Sequence, residues 1–259
     1  MVSWDWAIAF NEMKKHFLVM QWVVPLISLI GCNKESAPDC FKKAGPDKTE
    51  VRMISAFQRI ELRDYIQYEL VDSTVQMIEI EAPANLISKI RSDVTDGTLL
   101  IENRTTCNFV RSFKHRVRVR IYSPEFTDIQ NYATGDVRSV NTLNASYFKI
   151  DNRNAAGTID VRVNVDSASV FTHTGVCDVV LTGTANQVKL FAQGVGFIDA
   201  SGLQSNFAFV NNSSINDVHV KTLGYLYAFI QYSGNILVYG SPQSIDSDLE
   251  GTGDLILIP

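Results

Sequence analysis

The sequence is short of several things, and each shortage narrows what the chain can be. No apolar run reaches the roughly 18 to 20 residues that a bilayer-crossing helix needs. Twenty-three basic residues stand against 28 acidic ones, a net charge of −5, so the positive excess that a phosphate-binding surface requires is missing and nucleic acid is not an expected partner. The catalytic signatures HExxH, GxSxG and GxxxxGK[ST] and the dinucleotide fingerprint do not occur. Four cysteines, none in a CxxC spacing, give no metal or redox motif, so no metal or cofactor is expected. Disorder is excluded as well, because 46% of the residues are hydrophobic and only 20% are charged.

The longest apolar stretch lies near the N-terminus. Residues Phe17 to Gly31 follow Lys14, Lys15 and His16, the charge-then-hydrophobe order of a secretory signal. The stretch closes on Leu29-Ile30-Gly31-Cys32, which resembles the lipobox of bacterial lipoproteins and makes Cys32 the candidate lipid carrier. A polar tether, Asn33 to Asp39, comes directly after it, as a buried helix would not allow. Translation from Met13 instead of Met1 gives the signal standard proportions. The expected division is a signal peptide over 1–31, a tether over 32–49, a β-rich segment over 50–124 and a repeat over 125–259. The expected location is the cell envelope, with the protein held to the outer membrane through its lipid and not spanning it.

In such an oxidising compartment two of the three remaining cysteines are able to pair. Cys40 with Cys107 is the favoured pair, since both lie in polar, turn-like surroundings, and closing so long a loop contributes about 4 kcal/mol through chain entropy. The alternative leaves all three as free thiols. Cys177 sits among apolar repeat positions and reads as a small buried residue.

From Asp47 to about Pro124 the chain is rich in strands of irregular spacing. Phe57 to Leu62 and Gln76 to Glu81 alternate apolar with polar residues, as half-buried strands do. Asp96-Gly97 marks a hairpin, and only Asn85 to Ile90 has the pattern for a helical turn or two. Beyond Pro124, where 12 of the 15 glycines lie, the texture changes. Val137, Ile159, Val179, Ile198, Val218, Ile236 and Leu255 recur in similar settings at separations of 22, 20, 19, 20, 18 and 19 residues. A period near 20 with two short alternating segments per unit is what a parallel β-helix requires. Gly, Asn and Asp supply corners with φ > 0. Only Pro242 interrupts the repeat interior, as expected where nearly every amide donates to the next coil. Seven coils at about 4.8 Å make a rod of roughly 35 Å. The competing architecture, an antiparallel β-sandwich, would repeat at about 8 to 12 residues without a fixed phase.

The lipobox, the strand Phe57 to Leu62, the segment Asn85 to Ile90 followed by Asp96 to Ile101, and the coils Gly234-Asn235-Ile236 and Gly251 to Leu255 together resemble the auto-transporter adhesin, or head GIN domain, family. The similarity runs from about residue 50 to the C-terminus. It implies a right-handed parallel β-helix on a secreted or surface-attached lipoprotein of Gram-negative bacteria, and it carries over no catalytic residue. The fold class expected is therefore all-β: a parallel β-helix of about seven coils with a β-rich N-terminal capping segment. Gly175 to Asp178 and Ser214 to Asp217 depart from the family's glycine-rich corners, which predicts irregular middle coils.

Binding is the leading function, with a glycan or a protein as ligand. Arg111, Lys114, Arg116, Arg118 and Arg120 interleave with apolar residues and offer a basic strand face for acidic glycans or lipid headgroups; the plainer reading is an edge strand charged against aggregation. Tyr227 and Tyr232, with Tyr225 and Tyr239, form either a sugar-stacking stripe or an aromatic stack within the coils. The alternative functions are a carbohydrate-active lyase or hydrolase and a structural component of envelope assembly. For an enzyme, Asp160, Asp178, Asp199 and Asp217 recur at separations of 18, 21 and 18 and would have to converge with a basic partner. As turn residues they would bond backbone amides instead.

Overall fold

The computed structural model describes residues 44–105 and 117–259. The chain divides into two units, 1–42 and 43–259, and only the second is described. Its strands run β1 (Asp47–Met53), β2 (Arg59–Asp64), β3 (Gln67–Asp72), β4 (Met77–Pro83), β5 (Ile90–Thr95), β6 (Thr98–Asn103), β7 (Arg118–Ser123), β8 (Asp128–Ala133) and β9 (Val137–Ser139). Five longer strands follow: β10 (Leu143–Asn152), β11 (Thr158–Thr172), β12 (Asp178–Ala192), β13 (Ile198–Asn212) and β14 (Val218–Ile230). The series ends with β15 (Ile236–Tyr239), β16 (Ser244–Leu249) and β17 (Leu255–Ile258). A single 3-10 turn, Ile87–Lys89, is the helical element expected within Asn85 to Ile90. Asp96 (φ 48°) and Gly97 (φ 71°) turn β5 into β6, as the hairpin signal requires.

From β8 onward every pairing is parallel, so the fold is a β-solenoid of about seven turns and not a sandwich. The seven apolar residues of the repeat pair directly: Val137 with Ile159, then Val179, Ile198, Val218, Ile236 and Leu255 in unbroken succession. All but the last are buried, and they form one internal column of the first wall. A second column runs through Ile129, Ile150, Val170, Leu190, Val210 and Ala228 in the second wall. In β11 the buried apolar positions are 159, 161, 163 and 165, then 168 and 170. This switch of parity is the corner where one strand passes from the first wall to the second, because a strand that keeps its pleat keeps one parity inward.

The coils are not all of one length, and slips in register absorb the difference. Between β12 and β13 the ladder shifts at Val180/Thr182, and between β13 and β14 at Ala200/Gln204 and Ser205/Phe207. Each slip restores inward alignment on the following wall, as β-bulges do. Polar side chains satisfy the inner corner. Buried Asn131 donates to Asn152 Oδ1 at 2.9 Å, and Asn212 Nδ2 donates to the carbonyls of Asn216 and Asn235 at 3.0 Å each.

The N-terminal strands enter the same columns out of chain order. β2 lies between β6 and β8, and β3 between β7 and β9, all parallel. The turn formed by β6 and β7 is therefore stacked outside the one formed by β2 and β3, although it comes later in sequence. Antiparallel strands complete this end: β4 on β7, β1 on β4, and β5 on β6. Arg52 on β1 bridges to the other wall, donating to Ile90 O at 2.6 Å, Ser92 Oγ at 2.8 Å and Ile87 O at 3.1 Å.

Candidate functional site

Alternate residues of each strand point outward, and stacked coils turn them into outer columns. On the second wall these columns change character along the solenoid. The turns nearest β2 carry a charged cluster: Arg59 bonds Asp128 at 2.8 Å, Lys149 lies 3.4 Å from Asp151, Arg153 bonds Asp151 at 2.8 Å, and His173 Nε2 is 3.1 Å from the same carboxylate. Burial by itself would raise the Asp151 carboxyl, but the hydrogen bond from Arg153 and the charges of Arg153, Lys149 and His173 hold it below its ordinary range.

The middle of this wall is aromatic. Phe171 and Phe191 stack with ring centroids 4.6 Å apart and planes 6° apart, Phe191 tilts against Phe209 at 5.3 Å, and Phe209 stacks on Tyr227 at 5.3 Å and 8°. The ring spacing follows the spacing of the strands, so ring faces cover one another and edges face outward. Tyr227 is thus a rung of an aromatic ladder on the outer side of this wall. Beside the ladder, Phe207 is 51% exposed and has no ring partner among the described residues. Lys189, the register neighbour of Phe209, is exposed and has no ion pair among them. Polar side chains border the rings: Asn211 accepts from Ser213 Oγ at 2.7 Å, and Ser213 also bonds Gln231. Toward β16 the wall becomes acidic, with Tyr225 donating to Asp246 Oδ2 at 2.9 Å.

The other residues singled out from sequence are distributed differently. Arg118 and Arg120 lie on β7 of the first wall, where they are already paired: Arg118 with Glu81 at 2.7 Å, and Arg120 with Glu69 at 2.7 Å and Glu79 at 3.1 Å. Tyr232 is an exposed corner residue, away from the ladder's rings. Cys177 is buried and free, and desolvation pushes its thiol up to about 11, which makes it unreactive. Cys32, Cys40, Cys107, Arg111, Lys114 and Arg116 lie outside the described residues.

The four aspartates do not converge. Asp178 Oδ1 accepts from the amide of Phe197 at 3.1 Å, Asp217 Oδ1 from that of Asn235 at 2.9 Å, and Asp199 Oδ1 from that of Ser201 at 2.9 Å. The first two bind the amide of the following coil, so they lace one corner to the next. Asp160 lines an open surface groove with Arg138, Arg162 and Thr182. Phe207, with Phe209, reads from sequence as an inward apolar pair; the structure buries Ala208 and Val210 instead and turns Phe207 outward, because alternation alone does not fix which parity faces the core. The ladder carries a periodic signal: its rings stand 20, 18 and 18 residues apart.

The described unit is a β-solenoid, parallel from β8 onward, with stacked rings and amides on one outer wall. The description "putative auto-transporter adhesin, head GIN domain" matches residues 56–242, and the chain belongs to that family. A crystal structure of a putative adhesin from Bacteroides fragilis is similar, with a TM-score of 0.76 and 26% identity over 82% of this chain and 97% of that one. Others are a putative lipid binding protein from Parabacteroides distasonis (TM-score 0.63, 18% identity, 83% and 98% covered) and a putative adhesin from Parabacteroides merdae (0.57, 18%, 83% and 97%). No curated protein matches the chain in sequence.

Proposed function

We propose that this protein is a lipid-anchored adhesin of the cell envelope that binds glycan on the outer face of its second wall. The observation that carries this reading is the half-exposed Phe207 ring on a wall of stacked rings and amides, with Lys189, which has no ion pair among the described residues, two positions along β12 from Gln187, the register partner of Phe207. A ring of this kind covers the apolar face of a sugar while amides and hydroxyls take its hydroxyl groups. The Lys189 ammonium favours sugars that carry carboxylate or sulfate. Family membership and the Bacteroides fragilis adhesin support a binding role in place of catalysis. The paired state of Arg118 and Arg120 moves the expected ligand surface away from them.

The test is an array of neutral and acidic glycans together with matrix proteins. Acidic glycans are expected to bind. Phe207→Ala should weaken that binding about tenfold, the scale of one lost ring contact, and Lys189→Gln should remove the preference for acidic over neutral sugars. Binding only to proteins, or unaltered binding by Phe207→Ala, would place the ligand elsewhere.

Anchoring is assigned to Cys32, which follows Leu29-Ile30-Gly31. Each buried acyl methylene contributes about 0.8 kcal/mol, and lasting attachment takes more than one chain. Cys32→Ser is expected to shift the protein from the membrane to the soluble fraction, and unchanged fractionation would refute the anchor. Cys40 and Cys107 are proposed to form a disulfide in the same compartment.

A further inference from the structure

The two ends of the solenoid are finished differently. Among the described residues four strands have one unpaired edge: β1 and β5 at the N-terminal end, β16 and β17 at the other. Unpaired edges invite another strand, and charged side chains are the usual protection against it. β1 carries Asp47, Lys48, Glu50 and Arg52, and its Arg52 closes the gap to β5. β5 carries Arg91 and Asp93, and β16 carries Asp246 and Asp248. β17 is Leu-Ile-Leu-Ile, with no charge at all. Its core side is open among the described residues: Leu255 and Leu257 extend the inward columns of Ile236 and Val238, yet Leu257 is 57% exposed, and none of the described strands pairs with the other edge of β17.

A strand laid on β17 must bring apolar residues at both parities and no charge to desolvate. Of the free edges a second copy offers, β17 alone meets that condition. We propose that β17 pairs antiparallel with β17 of a second copy, joining two solenoids end to end about a two-fold axis at Ile256. Opposed residues of an antiparallel pair share a face. Centring on Ile256 therefore sets Leu255 against Leu257 of the other copy, both inward, and Ile256 against its own equivalent, outward. The inward columns of the two copies become continuous, and the hydrophobic end is withdrawn from water. Isologous closure makes the product a dimer and not a fibre.

The experiment is sedimentation of the full chain at micromolar concentration, with two variants. The unsubstituted chain is expected at twice the monomer mass. Leu257→Asp should return it to the monomer mass with its circular dichroism unchanged, because that side chain is already more than half exposed. Ile256→Cys should give a covalent dimer on mild oxidation, whereas Val195→Cys, on an exposed corner, and the unsubstituted chain should not. A monomer mass for the unsubstituted chain, a dimer that survives Leu257→Asp, or cross-linking no greater for Ile256→Cys than for Val195→Cys would each overturn the proposal.

Discussion

Glu69→Ala is expected to lower the unfolding free energy by about 2–4 kcal/mol, the scale of two charge-assisted hydrogen bonds to a buried acid. The carboxylate is 2% exposed. On β3 it stands between register partners Arg120 of β7 and Arg138 of β9, bonding Arg120 at 2.7 Å and Arg138 more closely still, with Arg118 at 3.6 Å. Three neighbouring turns are thus tied through one acid, and its removal leaves Arg118 with Glu81 and Arg120 with Glu79 but takes away the bonded acid of Arg138 and the tie between the turns. Burial pushes the Glu69 carboxyl upward, but the hydrogen bonds from Arg138 and Arg120, with their charges, win and hold it below its ordinary value of 4.5. A carboxyl lowered in the folded state contributes stability that is fully present above its unfolded value and is lost as the pH falls through the folded one. The gap between the parent protein and Glu69→Ala should therefore be widest at neutral pH and narrow below about pH 4.5. Urea unfolding at pH 7 and pH 3 measures both quantities, and an equal gap at the two values would show that the loss of packing, not charge, sets the effect.

Gly183→Ala is expected to be at least as severe, at about 4 kcal/mol or more. Gly183 lies within β12 at φ +109°, and a Cβ there would come 2.0 Å from the Val163 carbonyl oxygen on the preceding coil. The backbone has no room to yield, since Gly183 is paired with Val163 on one side and Leu203 on the other. Gly97→Ala is the comparison, because its φ of +71° is unfavourable but no atom lies within 4 Å of the added carbon. That substitution should cost only about 1–2 kcal/mol, the ordinary penalty of a left-handed alanine. Denaturant midpoints of the two variants separate the collision from the dihedral, and similar losses for both would rule the collision out.

The repeat could be read from sequence because a solenoid writes its core once per turn: the seven residues from Val137 to Leu255 are spaced by the coil and touch for that reason. The irregularity expected near Gly175 and Ser214 occurs instead as slips around Val180 and Ala200, where coils of unequal length are brought back into alignment. The order of the N-terminal turns was not legible. β2 and β6 share the same apolar alternation, and nothing local says which lies outside the other. The partners of the basic strand were not legible for a related reason: the acids that pair with Arg118 and Arg120 lie 37 and 51 residues away, on strands brought alongside only by the fold. The ladder of Phe171, Phe191, Phe209 and Tyr227 was available in the period, but whether its rings turn faces or edges outward depends on backbone twist and rotamer, which spacing does not specify.

The interleaving of β2 and β3 between later strands also governs how the chain assembles. Past β9 each turn needs only the one before it, so growth proceeds step by step from any formed neighbour. The first turns have no such freedom. Arg59 meets Asp128, and Asp72 meets Asn141, each across 69 residues, so the opening strands stay without their inner neighbours until nearly half the polypeptide has emerged. Closing so long a loop carries an entropic cost that the later turns, each laid on its immediate predecessor, do not bear.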